Sequence, residues 1–230
     1  MGDSMKYKGL FFDIGWTLMK PSRSWFFSDL FYQLVPTEDL SSDELDAAAQ
    51  NAMHILDNNH KMGTCMQEEQ QFCLFYQELL NQFPELRLSK NTAELLAHDK
   101  VYNFRNYIFF SDVLPVLTRL KMNYKLGIIS DTWPSAELFL KEAGIYDLFD
   151  SITFSCCLGV FKPDPAMYRH ALSGIGLSPE ETIFVDDCPE CLCGAANAGI
   201  TPIQMLKKPG LSPAPGIKSV DSMTALELLL

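Results

Sequence analysis

Three apolar runs along this chain each end in a polar cluster containing aspartate. Asp13 follows Leu10-Phe11-Phe12, Ser130-Asp131-Thr132 follows Gly127-Ile128-Ile129, and Asp186-Asp187 follows Ile183-Phe184-Val185. A fourth segment, Phe161-Lys162-Pro163-Asp164-Pro165, sets a lysine ahead of two prolines that stiffen the backbone. Carboxylates gathered in a partly buried cleft repel one another, so a divalent cation is their natural neutraliser. An all-oxygen ligand set favours magnesium over zinc. Lys162 and the Ser130 hydroxyl can hold oxygens of a phosphoryl group, and a carboxylate facing that group can attack it to form an aspartyl-phosphate.

For these groups to act together, the elements that carry them must end at one place. The runs before the clusters are short and read as buried strands over 8–12, 125–129 and 182–185, with further strands over 151–154 and, last in the chain, 201–206. Helical patterns over 113–122, 134–143, 164–174 and 191–198 alternate with them, and Gly144 and Gly199 end two of these helices. Strands alternating with helices predict an α/β fold with a parallel sheet covered on both faces, whose strand carboxyl ends open on one ligand-binding edge. The texture between about 22 and 105 is different: long amphipathic stretches over 24–34, 42–60, 66–82 and 90–104, with capping residues at Ser41-Ser42-Asp43-Glu44 and a break at Pro84. This all-helical block reads as an insertion, so that residues 1–19 and 106–230 form the core and 20–105 a second, helical domain. Residues 207–215, rich in proline, lysine and glycine, read as a surface loop.

Composition narrows the function classes. With 47% hydrophobic residues, 230 residues can bury a sizeable core, and a formal charge of −11 argues against nucleic-acid or anionic-membrane partners. Asp13 interrupts the apolar stretch behind Lys6 and Lys8 too early for a signal segment, and no run approaches the ~18 apolar residues of a membrane span. Seven cysteines, an odd number, predict free thiols in a reducing cytoplasm. Cys188, Cys191 and Cys193 have metal-like spacing, but no second cysteine pair or nearby histidine completes a ligand set, so they read as small helix residues. Trp16, Trp25, Phe26 and Phe27 read as packing, with Trp16 near enough to Asp13 to narrow the site. His54, His60, His98 and His170 all fall on predicted helices and receive no role. Each aspartate cluster also has a plainer reading, as a turn or helix cap.

Taken together, F-F-D-I-G-W-T-L, I-I-S-D-T, F-K-P-D-P and F-V-D-D-C-P-E-C-L-C-G-A-A-N-A-G resemble the four ordered motifs of the haloacid dehalogenase superfamily, in members with a helical cap. The resemblance spans nearly the whole chain. It implies a doubly wound parallel α/β core (HAD-like, Rossmannoid) with an inserted all-helical cap, and a magnesium-dependent hydrolase of a small phosphorylated metabolite. Asp13 becomes nucleophile and magnesium ligand, Ser130 and Asp131 belong to the substrate side, and Lys162 stabilises nucleophile and phosphate. Asp187 becomes a direct metal ligand, Asp186 a ligand directly or through water, and Gly15 a ligand through its carbonyl. The sequence departs from the family pattern at Gly15, where phosphatases usually place an aspartate that protonates the leaving group, and at Cys191, where an Asp or Asn often supports the metal loop. Loss of a positioned proton donor typically costs ~10²- to 10⁴-fold. Two alternatives therefore stand beside the phosphatase: an impaired relative that binds a phosphorylated ligand, and a dehalogenase, against which the Asp186-Asp187 pair counts.

Overall fold

The computed structural model describes residues 6–38 and 40–230. In chain order it contains β1 (Gly9–Phe12) and β2 (Met19–Pro21), then four helices, α1 (Asp29–Leu34), α2 (Ser42–Asn58), α3 (Cys65–Leu80) and α4 (Thr92–Tyr102). There follow β3 (Tyr107–Phe109), α5 (Val113–Leu120), β4 (Lys125–Ser130), α6 (Ala136–Glu142), β5 (Ser151–Phe154), α7 (Ser155–Leu158) and α8 (Pro165–Ile175). The chain ends with β6 (Thr182–Asp186), α9 (Pro189–Asn197), β7 (Thr201–Met205), β8 (Lys218–Val220) and α10 (Met223–Leu229). The first five residues of the expected core range lie outside the described residues.

Six strands form one parallel sheet in the order β5-β4-β1-β6-β7-β8. Counted among themselves these are strands 3-2-1-4-5-6, the doubly wound arrangement in which ligands bind at the carboxyl ends where the strand order reverses. β1 is central, buried along its whole length, and pairs Phe12 with Ile128 on one side and Val185 on the other. Successive side chains alternate between faces. Leu10 and Phe12 pack with Val116, Leu117 and Leu226, whereas Phe11 packs with Met167, Tyr168 and Leu192 on the opposite face. Gly127 is required here, because a Cβ on it would lie 2.6 Å from the Phe11 ring.

The helical block has its own apolar core, including Phe31, Leu56, Phe72, Phe75 and Leu79. Ser41 and Glu44 form a capping box that starts α2. The first helix is shorter than its sequence pattern suggests. Ser28 caps it by accepting the Phe31 N–H at 3.3 Å, so Trp25, Phe26 and Phe27 precede the helix in a bend of irregular chain.

Other expectations are corrected. The two crossings between sheet and helical block pair as an antiparallel ribbon, β2 with β3, each only three residues long. The strand over 201–205 is not the last, because β8 extends the sheet beyond it and α10 follows. His60 is not helical: α2 ends at Asn58, and His60 is buried in the connection to α3. No helix of the described residues is long and apolar enough to cross a membrane.

Candidate active site

The carboxyl ends of β1, β4 and β6 bring Asp13, Ser130, Asp131, Asp186 and Asp187 to one cavity, and the loop before α8 adds Lys162. Asp13 is 7% exposed and is held by its N–H, which donates to the Val185 carbonyl at 2.9 Å. The Lys162 ammonium is the hub. It donates to Asp13 Oδ1 and to Asp186 Oδ2, each at 2.7 Å, and the Lys162 backbone N–H donates to Asp131 Oδ1 at 2.9 Å. Asp131 thus fixes the lysine loop as well as lining the cavity. Asp186 is tied further, since its Oδ1 accepts the Cys188 N–H at 2.8 Å.

These contacts set the electrostatics. Burial works against the Lys162 charge, but Asp13, Asp186 and Asp131 outweigh it and hold the ammonium well above its usual range. Burial pushes the Asp131 carboxyl up to about 6 against the pull of Lys162. Burial and then the Asp13 charge push Asp187 up to about 6, with Lys208 opposing from 3.9 Å. Complete burial also raises Asp186, against its contact with Lys162. Four carboxylates therefore face two ammonium groups, an excess of negative charge that a divalent cation would relieve.

The donor set fits such a cation. Asp13, Asp186 and Asp187 each offer a carboxylate oxygen, and the three oxygens lie within 4.8 Å of one another. The Gly15 carbonyl accepts no hydrogen bond among the described residues, whereas the neighbouring Ile14 carbonyl accepts from Leu18 and Met19. The turn after β1 holds Trp16 at φ 54°, a left-handed conformation that is costly for a bulky side chain. Its N–H donates to the Met19 carbonyl at 2.6 Å, and the residue lines the cavity.

Trp25 stands beside Gly15. A Cβ at that position would sit 3.4 Å from the Trp25 indole and 3.7 Å from Asp13 Oδ2. Trp25 itself packs against Tyr107, with ring centroids 6.0 Å apart. Trp16, Trp25 and Phe26 therefore line the cavity, whereas Phe27 is buried in the helical block. Of the cysteines, Cys188 caps α9 and accepts the Cys191 N–H at 3.4 Å, Cys191 is buried, and Cys193 is exposed. Hydrogen bonding from Cys191 is the main influence that lowers the Cys188 thiol to about 6.

The cavity, 380 Å³ in volume, extends past the aspartates to a second polar group that sequence reasoning missed. Glu68 of α3, Lys100 of α4, Tyr107 of β3 and Trp133 line it. Glu68 and Lys100 sit in helices where charged residues read as solvated, and only the packing of α3 and α4 against the core reveals their burial. His60 was also missed. Its Nε2 lies 2.6 Å from the Ser155 hydroxyl and its ring stacks on Phe161 with centroids 4.1 Å apart.

Comparison with known proteins agrees with this architecture. A family model described as haloacid dehalogenase-like hydrolase matches residues 7–199. A glyceraldehyde 3-phosphate phosphatase of Methanopyrus kandleri is 30% identical over 103 residues, 42% of each chain, so the match spans under half of that relative's length. Among solved structures, a dehalogenase aligns with a TM-score of 0.70 at 20% identity, covering 99% of this chain and 98% of that one. A HAD-hydrolase of Bacillus subtilis bound to magnesium aligns with a TM-score of 0.69 at 17% identity, covering 98% and 99%. With its doubly wound sheet and its aspartates gathered at the strand ends, the chain belongs to the haloacid dehalogenase-like hydrolases.

Proposed function

We propose that this hydrolase cleaves a small phosphorylated metabolite with the help of magnesium, through a phosphoryl group carried transiently on Asp13. The observation that carries this reading is the pairing of Lys162 with Asp13 Oδ1 at 2.7 Å inside a cluster of three metal-competent carboxylates. Asp13 Oδ2, by contrast, accepts no hydrogen bond among the described residues. Asp13, Asp187, the Gly15 carbonyl and, directly or through water, Asp186 would hold the ion, which when bound would neutralise phosphoryl oxygens. The chain's own residues do the rest. Lys162 orients Asp13, Asp131 fixes Lys162, and the buried Ser130 hydroxyl offers a donor to a phosphoryl oxygen. In the attack, a new bond forms from an Asp13 oxygen to phosphorus while the bond to the leaving oxygen breaks. Water then cleaves the acyl phosphate, releasing phosphate and restoring Asp13.

We further propose that residues 20–105 act as a cap over the 1–19 and 106–230 core, excluding water from the cavity they share. The net charge of −11 and the free thiols favour a cytoplasmic enzyme of small molecules with no nucleic-acid or membrane partner.

The arrangement at Gly15 favours substrates whose leaving group departs without a proton, such as acyl or aryl phosphates. It equally supports the second reading, a protein that binds a phosphorylated ligand with little turnover. The test is hydrolysis of 4-nitrophenyl phosphate and acetyl phosphate with and without magnesium. Activity that needs magnesium, falls by at least ~10³-fold in Asp13→Asn and leaves one phosphoryl mass on the native chain supports the enzyme. Equal inactivity of both proteins over a metabolite panel selects the binder. Chloride release from a haloacid without metal selects a dehalogenase.

A further inference from the structure

At the end of the cavity away from the aspartates, one buried cation has donors to spare. Lys100 is 7% exposed, and its ammonium lies 4.9 Å from the centroid of Tyr107, 5.4 Å from that of Phe72 and 5.8 Å from that of Trp133. Of its three N–H donors, one has an oxygen partner, the Tyr107 hydroxyl. The nearest counter-charge is occupied elsewhere. Glu68 accepts the Ser135 N–H at 2.7 Å and the Ser135 hydroxyl at 2.6 Å, so each of its oxygens has a donor. Trp133, whose ring the ammonium faces, carries a buried indole N–H with no acceptor. Burial pushes the Lys100 ammonium down to about 8, with Glu68 and Asp99 opposing the shift, so it remains a cation at neutral pH.

A buried ammonium that opens on a cavity with unused donors, walled by aromatic rings, is arranged to receive an oxygen atom. We propose that Lys100 is the specificity-determining residue of this site and hydrogen-bonds an acceptor oxygen on the leaving part of the substrate. Resting on the phosphohydrolase reading above, this makes the substrate a monophosphate whose leaving group is flat and largely apolar and carries a carbonyl, hydroxyl or carboxylate oxygen. The flat apolar part matches Trp25, which reaches from Gly15 to Tyr107, and Phe26 and Phe139, which also line the cavity. The Glu68 charge already offsets that of Lys100. A neutral carbonyl therefore satisfies the ammonium at least as well as a second anion does.

The experiment compares 4-ethylphenyl, 4-acetylphenyl and 4-carboxyphenyl phosphate and their 3-substituted isomers. Each is measured twice: as ligand of the Asp13→Asn protein with magnesium, by quenching of the cavity tryptophans, and as substrate of the native protein. The expected result is at least about tenfold tighter binding and higher kcat/KM for an acetyl or carboxy member than for its ethyl partner. Lys100→Met should reduce the binding ratio to near one and leave in kcat/KM only the difference that leaving-group acidity gives. The paired variant Glu68→Gln with Lys100→Met leaves no lone buried carboxylate and serves if the single variant unfolds. Acetyl preferred or equal to carboxy supports the charge balance argued here, and carboxy strongly preferred overturns that part. Equal binding of ethyl and oxygen-bearing partners by Asp13→Asn, or a binding preference that survives Lys100→Met, overturns the proposal. A Lys100-dependent preference in binding with no turnover of any member upholds the subsite while removing the phosphohydrolase reading.

Discussion

At Gly15 a missing side chain and a neighbouring ring are linked. A Cβ at position 15 would touch the indole of Trp25 at contact distance, so the carboxyl beyond it must share space with the ring and restoring an aspartate is not a one-residue change. Gly15→Asp alone should raise turnover of alkyl phosphates less than ~10-fold. Gly15→Asp in a Trp25→Ala background should raise it ~10²-fold or more over Trp25→Ala, the usual contribution of a positioned acid. Steady-state kinetics on an alkyl and an aryl phosphate check this, and the gain should be smaller for the aryl ester because its leaving group needs no proton. An equal gain from Gly15→Asp alone would show that Trp25 does not block the position. The absence of the acid was legible directly in the sequence, because it is a residue identity. That Trp25 borders its place was not, because Trp25 lies ten positions further on and its ring reaches Gly15 only through the fold.

The elements place these residues with little tolerance. Helix α9 brings Gly194 against the lysine loop, where a Cβ would stand 2.6 Å from Pro163 Cβ and 2.7 Å from the Tyr168 hydroxyl. Gly194→Ala should gain up to ~1 kcal/mol of helix propensity and lose about 1–3 kcal/mol to overpacking. Proline cannot swing aside, so the net should be destabilisation together with reduced kcat as the Lys162 loop shifts. Urea denaturation and kinetics measure the two effects. Elements of this kind were readable where the pattern was strong. β1, β4 and β6 are apolar runs stopped by a polar cluster, and α2 carries its capping box in plain view. β2, β3 and β8 were not, since three residues give no period to detect, and β8 also follows a proline- and glycine-rich loop. Lys100 was hidden for a related reason. Helix α4 has almost no apolar side in its sequence pattern, so nothing there marks one of its charged residues as enclosed by a second layer of structure.

In the molecule as a whole, helical block and core are joined by buried polar contacts as well as apolar ones. Glu68 reaches Ser135, and His60 reaches Ser155 while stacking on Phe161. Burial lowers the His60 imidazole to about 4 from an ordinary value near 6.5, and its Nδ1 has no partner. Between those two pH values the unfolded chain binds a proton at this site that the folded chain refuses. His60 therefore makes stability fall as pH drops from about 6.5 towards 4, by at most ~1.4 kcal/mol per pH unit, and contributes no further slope below or above that window. Chemical denaturation of native protein and His60→Gln across pH 4–8 isolates this contribution. The difference in stability between the two should change only inside the window, and a flat difference would show that His60 does not titrate this way.

The central position of β1 has a consequence for how the site comes into being. Gly9 pairs with Lys125 on one side and Thr182 on the other, so the strand that ends at Asp13 has no neighbour when it leaves the ribosome. At ~5–20 residues per second, its first partner follows on the order of ten seconds later, after all four helices of the inserted block. Its second partner comes later still. Throughout that interval Leu-Phe-Phe is an apolar segment without a sheet to join, exposed to holding chaperones or to other nascent chains. Asp13 is made well before β4 and β6 and reaches its surroundings only after both have been added.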